Sequence, residues 1–131
     1  MAAEAQKVLV RDQVEISLEG GIVHVAYLDG ADITPEIKHE MHLVFLELTA
    51  GRKMPFIFES KGALWYSREA REYARELEPR QPFLAVAMIA PGLGFRLLSE
   101  FYARLYKPER PYKVFKTKAE AETWLAMFSE N

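Results

Sequence analysis

Few residues in this 131-residue chain have types and spacings that could do chemistry, and most gather in one stretch. Met54 to Tyr73 (MPFIFESKGALWYSREAREY) reads as a buried strand, a short loop and the start of an amphipathic helix. In open α/β folds, ligands and modifications sit at such carboxyl ends of strands. Ser67 opens the helix, where unpaired backbone N–H groups and the helix dipole would stabilise a phosphate or another anion. A serine there also serves simply as a helix cap. Trp65 and Tyr66, flanked by Lys61 and Arg68, are placed to line a pocket or a partner surface, since aromatics beside cations recur in binding sites. Trp65 equally suits a core anchor.

A second group lies on the preceding helix. His39 and His42, with Glu36 and Glu40 nearby, include a Glu-x-x-His spacing, which di-metal carboxylate proteins repeat on two helices with further glutamates. Here it occurs once, so no metal is expected. The two histidines join Leu43 and Leu46 on a face that a surface helix normally keeps charged. The reading is a contact surface between two copies of the chain, a homodimer. Gly92-Leu93-Gly94 follows a strand and opens a helix; Gly92 and Gly94 form a candidate ligand turn, although the third glycine of a dinucleotide fingerprint is missing and tight packing is the simpler role. His24 falls mid-strand with Ile22 and Ala26, opposite Val23, Val25 and Tyr27, and reads as a satisfied histidine at the sheet surface. No Ser/His/Asp order stands out, and no catalytic residue or cofactor is expected.

Composition narrows the classes further. The chain is 50% apolar and 27% charged with a formal net charge of -2, which suits a globular domain and argues against a nucleic-acid platform. It has no cysteine, which excludes disulfides, thiolate nucleophiles and Cys-ligated zinc. MAAEAQKVLVRDQ lacks the apolar core of a signal peptide, and no apolar run is long enough to span a membrane. The expectation is a cytoplasmic protein.

The elements that must position these residues are legible in order. Residues 1–13 read as a tail and lead-in, and residues 14–131 as one domain. Val14, Ile16 and Leu18 alternate with polar residues as a half-buried strand. Gly20-Gly21 supplies a hairpin turn and Ile22 to Tyr27 the return. Thr34-Pro35 starts a helix that Gly51 ends. Met54 to Glu59 and Phe83 to Ala90 are apolar runs of the kind that parallel sheets bury on both faces. A helix capped by Ser67 separates them, and another is expected over Phe95 to Leu105. A short strand, Tyr112 to Lys116, precedes a last helix with a capping box at Thr117 and Glu120. The order ββαβαβαβα predicts an α/β fold: a mixed, mostly parallel sheet with an initial antiparallel hairpin and about four helices.

Four segments carry a family resemblance: EGGIVHVAYLDGADIT, FESKGALWYSREAREYA, VAMIAPGLGFRLLSEFYARLYKP and VFKTKAEAETWL. From Val14 to Phe128 the chain resembles the STAS-like proteins, the SpoIIAA-like fold of bacterial anti-sigma-factor antagonists, and within them a small bacterial branch. The resemblance implies a non-catalytic regulatory or protein-interaction domain, with another regulatory protein as a partner besides the second copy. In the antagonists a strand ends in Asp and an Asp-Ser-Ser-Gly motif begins the next helix, where a kinase phosphorylates one serine. Here Glu59 takes the place of the strand-end Asp and Ser67 that of the motif's Asp. Arg68, Glu69 and Ala70 stand where Ser-Ser-Gly would be. The phosphoacceptor position thus holds a charged residue, which leaves Ser67 or Ser60 as the candidate phospho-site. Glu59, Lys61, Trp65 and Tyr66 mark the candidate functional loop. The related topology of the CRAL-TRIO lipid-transfer domains implies the alternative, a small-molecule or lipid binder.

Overall fold

The structure, a computed structural model, describes residues 6–90, 92 and 110–128. Six of the described strands form one sheet in the order β1-β2-β3-β5-β7-β8: β1 (Gln6–Val10), β2 (Val14–Glu19), β3 (Ile22–Tyr27), β5 (Met54–Ser60), β7 (Phe83–Ile89) and β8 (Tyr112–Phe115). The first two pairings are antiparallel and the remaining three parallel. Two short strands, β4 (Ala31–Ile33) and β6 (Leu64–Tyr66), pair in parallel as a separate ribbon. The mixed, mostly parallel sheet is the one the sequence predicts. The helix expected over residues 95–105 lies outside the described residues.

The lead-in is where the expectation fails. Residues 6–10 are not a tail; they form the edge strand, paired with β2 from Gln6↔Leu18 to Val10↔Val14. The turn between them has no glycine. Arg11 and Asp12 both take left-handed backbone angles, φ 48° and 56°, a conformation that costs most non-glycine residues roughly 1 kcal/mol. Arg11 is held there from outside, because its guanidinium reaches the Glu40 carboxylate with N–O distances of 2.6 and 2.8 Å. The next turn, Gly20-Gly21, follows the ordinary hairpin rule, with φ 59° and 79°.

Three helices flank the sheet among the described residues: α1 (Pro35–Thr49), α2 (Arg68–Leu77) and α3 (Lys118–Leu125). Each has the predicted cap. Thr34 Oγ1 accepts from Ile37 N at 3.3 Å, Ser67 Oγ from Ala70 N at 3.0 Å and Thr117 Oγ1 from Glu120 N at 3.2 Å. Crossovers of one hand between successive parallel strands place their helices on one face. Ile37, Met41 and Phe45 of α1 and Ala70 of α2 accordingly share a core with Val23, Val25, Phe56 and Phe58. Ala121 and Leu125 of α3 pack on the other face, against Ile57, Ala85, Ala87 and Ile89.

The centre of the larger core is aromatic. Phe45 meets Phe56 edge-on at 4.9 Å, and Phe56 meets Phe83 at 4.6 Å. Behind them, Arg110 fixes the short 3-10 turn Glu78–Arg80 by donating to the Glu78, Pro79 and Gln81 carbonyls and pairing with the Glu78 carboxylate at 3.0 Å. Phe45 is fully buried, so Phe45→Ala should cost about 3–5 kcal/mol through lost contacts and a residual cavity, measured as a lower urea midpoint at unchanged slope.

Candidate functional site

The stretch that organises the sequence reading becomes β5, a three-residue loop, β6 and the start of α2. The loop is clamped rather than open. Lys61 N donates to Tyr27 O at 2.8 Å, Gly30 N to Ala63 O at 2.8 Å and Ala63 N to Asp29 Oδ1 at 2.8 Å. Gly62 lies so close to Asp29 that a Cβ there would fall on the carboxylate. Ser67 N donates to Ile33 O at 3.2 Å, and Gln13 Oε1 accepts from Asp32 N at 2.7 Å. These bonds fix the β4–β6 ribbon over the ends of β3 and β5.

The candidate residues on this connection point in different directions. Ser60 Oγ donates back to Gly62 O at 2.8 Å, and Ser67 Oγ is the cap acceptor of α2. Both hydroxyls therefore already have local partners. Lys61 Nζ lies 3.8 Å from Glu15. Glu59 alternates with Phe58 and follows Ile57, so it sits on the α3 face, beside Ala26 in register. Trp65 turns outward and is 65% exposed, which rules out the core-anchor role. Tyr66 turns inward, with its ring 6.5 Å from Tyr27 and 5.5 Å from the Lys38 ammonium.

The histidine face of α1 is divided by the chain itself. His42 is buried and donates through Nδ1 to Gln81 Oε1 at 2.7 Å. His39 is exposed, with Nδ1 3.0 Å from the Tyr73 hydroxyl of α2. Helix α2 and the turn after it thus cover the side that the sequence left uncovered, and His42 is no part of an exposed surface. Leu43 remains 52% exposed and Leu46 is half-buried. Among the described residues no group of three His, Cys, Asp or Glu is placed to hold a metal. A Cβ on Gly92 would meet nothing within 4 Å among the described residues; Gly94 lies outside them.

Two features escape the sequence reading. One is Lys38, only 6% exposed. Helical spacing places it in the stripe Lys38, His42, Phe45, Thr49, all four buried, and that periodicity was the available signal. Burial opposes its charge, but the Tyr27 and Tyr66 oxygens and the more distant Glu78 carboxylate outweigh it and hold the ammonium above the ordinary lysine range. Burial in turn pushes the Tyr27 hydroxyl far up, so it is a neutral phenol at physiological pH. The other feature is His24. It occupies the predicted face but is buried rather than satisfied at the sheet surface, and its Nδ1 has no hydrogen-bond partner among the described residues. Alternation could place the ring; it could not show that α3 and its neighbours close over it.

A mixed sheet entered by antiparallel strands and continued by parallel crossovers, with the last helix on the opposite face, defines a SpoIIAA-like α/β domain. The crystal structure of an uncharacterized DUF3478-family protein with a SpoIIAA-like fold, from Shewanella loihica PV-4, is similar, with a TM-score of 0.61. The two are 18% identical, over 95% of this chain and 98% of that one. The chain belongs to the DUF7793 family, a domain of unknown function matched over residues 16–129. No curated protein matches it. No described helix is long and apolar enough to cross a membrane.

Burial, and secondarily the Lys118 ammonium, lowers the His24 pKa below its ordinary 6.5. As pH falls below that value the unfolded chain takes up a proton that the folded chain resists, so this histidine's contribution to stability declines on acidification. His24→Asn should flatten the loss of unfolding free energy between about pH 7 and pH 5 relative to the wild type, as read from denaturant melts at each pH. Parallel curves for the two proteins would assign that loss to other groups.

Proposed function

We propose that this chain is a non-catalytic protein-interaction domain that presents the β5–α2 connection, centred on Trp65, to a partner protein. The observation that carries this reading is the indole itself: 65% exposed, on a ribbon held by backbone bonds on both sides. A large aromatic on a rigid support loses little entropy on contact, which is why tryptophan is enriched at interface hot spots. The SpoIIAA-like fold accords with a regulatory role, while fold alone assigns none.

Replacing Trp65 with a photo-crosslinking aromatic in the source cell should trap a discrete protein that the same group at Glu76 does not trap. With that partner purified, Trp65→Ala should weaken binding by about 30-fold or more, the loss of a hot spot. The melting temperature should stay within about 1 °C, as expected for an exposed side chain. Undiminished affinity in the variant would remove Trp65 from the interface.

Self-association through α1 is the second reading, favoured by Leu43, 52% exposed on the outward face of the helix, with Leu46 half-buried beside it. Under this reading light scattering gives twice the chain mass for the wild type and the single mass for Leu43→Glu. An unchanged mass in the variant would discard α1 as the interface.

A further inference from the structure

Helices α1 and α2 lie side by side, and the Tyr73 hydroxyl of α2 is 3.0 Å from His39 Nδ1 of α1. That contact fixes which flank of each helix faces the groove between them. One turn on from His39, Leu43 is 52% exposed, and Leu46, nearly a turn further, is half-buried. With the half-buried Tyr73 they form a stripe of apolar surface open to solvent. Apolar surface of this kind, rimmed by polar groups, marks protein contact sites.

The rim of the stripe has one sign. Residues three or four apart share a helix face. Glu69 and Glu76 flank Tyr73 at that spacing, Glu36 precedes His39 and Glu47 follows Leu43, and all four are exposed. The arginines of α2 fall elsewhere: by the same spacing Arg68, Arg71 and Arg75 occupy the opposite shoulder, where Arg71 donates to the Tyr66 carbonyl at 2.9 Å. Helix α1 adds no exposed lysine or arginine, since Lys38 is buried. Glu40 turns to its other flank and holds Arg11. The charge decides the occupant. A symmetric contact joins the same patch of two copies, so a second copy here would bring glutamates against glutamates. A cationic partner is attracted at both rims. Two neighbouring helices offer ridges between which a third helix packs, and an amphipathic helix laid in a groove is a recurring mode of recognition.

We propose that the α1–α2 groove is a docking site for a basic amphipathic helix of a partner protein. The apolar side of that helix lies on Leu43, Leu46 and Tyr73, and its lysines or arginines meet the flanking glutamates. The site is separate from Trp65, which belongs to the β4–β6 ribbon, and it gives the outward face of α1 an occupant other than a second copy.

The test uses the whole chain and, as probe, a labelled helix-forming peptide of about 14 residues with leucines on one face and lysines on the other. A peptide of the same composition in scrambled order, with no apolar face, is the control. By fluorescence anisotropy the probe is expected to bind saturably, at least about tenfold more tightly than the scrambled peptide, and to weaken as salt screens the rim. Glu69→Lys with Glu76→Lys is expected to lower the affinity about tenfold or more, and Leu43→Ser likewise. Glu120→Lys with Glu122→Lys, an equal change of net charge on the distant helix α3, is expected to leave it within about twofold. Glu69→Gln with Glu76→Gln serves if the lysine pair does not fold, with a smaller loss in the same direction. Equal losses from the two lysine pairs would reduce the binding to net charge and overturn the proposal, as would equal binding of the scrambled peptide. A wild type of twice the chain mass that becomes a single chain on Leu43→Glu would give the face to a second copy and overturn it too.

Discussion

The edge-to-face contact between Phe45 of α1 and Phe56 of β5 is the constraint from which the rest of the molecule hangs. It fixes the helix over the sheet at the point where antiparallel pairing gives way to parallel pairing. Phe58 and Phe83 close around the same two rings, so α1, β5 and β7 share one packed centre. Aromatic rings in this arrangement gain from their geometry as well as from burial. With α1 held there, its register places Lys38 under Tyr66 and His42 against Gln81.

A second constraint acts on the connections that leave the sheet. The β4–β6 ribbon sinks Ala31 and Ile33 into the larger core, and polar groups fix the rest of it: Gln13, Asp29 with Gly30, and the Tyr27 carbonyl. Such bonds are individually modest. Their effect is to make a short, solvent-facing piece of chain as well placed as the sheet beneath it, which an exposed recognition surface requires.

Much of the fold was legible because local chemistry and global packing agree in it. Thr34, Ser67 and Thr117 each cap the helix they were expected to cap, Gly20-Gly21 turns the hairpin, and the unbroken apolar run of β7 lies inside the parallel sheet. The misses have a common origin. Strand β1 was hidden because Arg11 and Asp12 turn the chain with no glycine to announce it, and Glu40, which secures the turn, is distant in sequence. The ribbon was hidden because three-residue strands leave no period to read. Around the site, alternation could place His24 on a face, but a lysine in a helix reads as solvent-exposed until its neighbours are known. Burial of Lys38 is a property of Tyr27 and Tyr66 as much as of its own position.

Trp65 and Tyr66 are adjacent in a strand only three residues long, and the pleat sends one side chain into solvent and the other onto the Lys38 ammonium. No intervening residue separates them to take up slack. One short strand thus carries, on consecutive residues, an indole in solvent and a phenol ring packed over a buried ammonium, so the backbone there cannot be re-aimed for one ring without re-aiming the other.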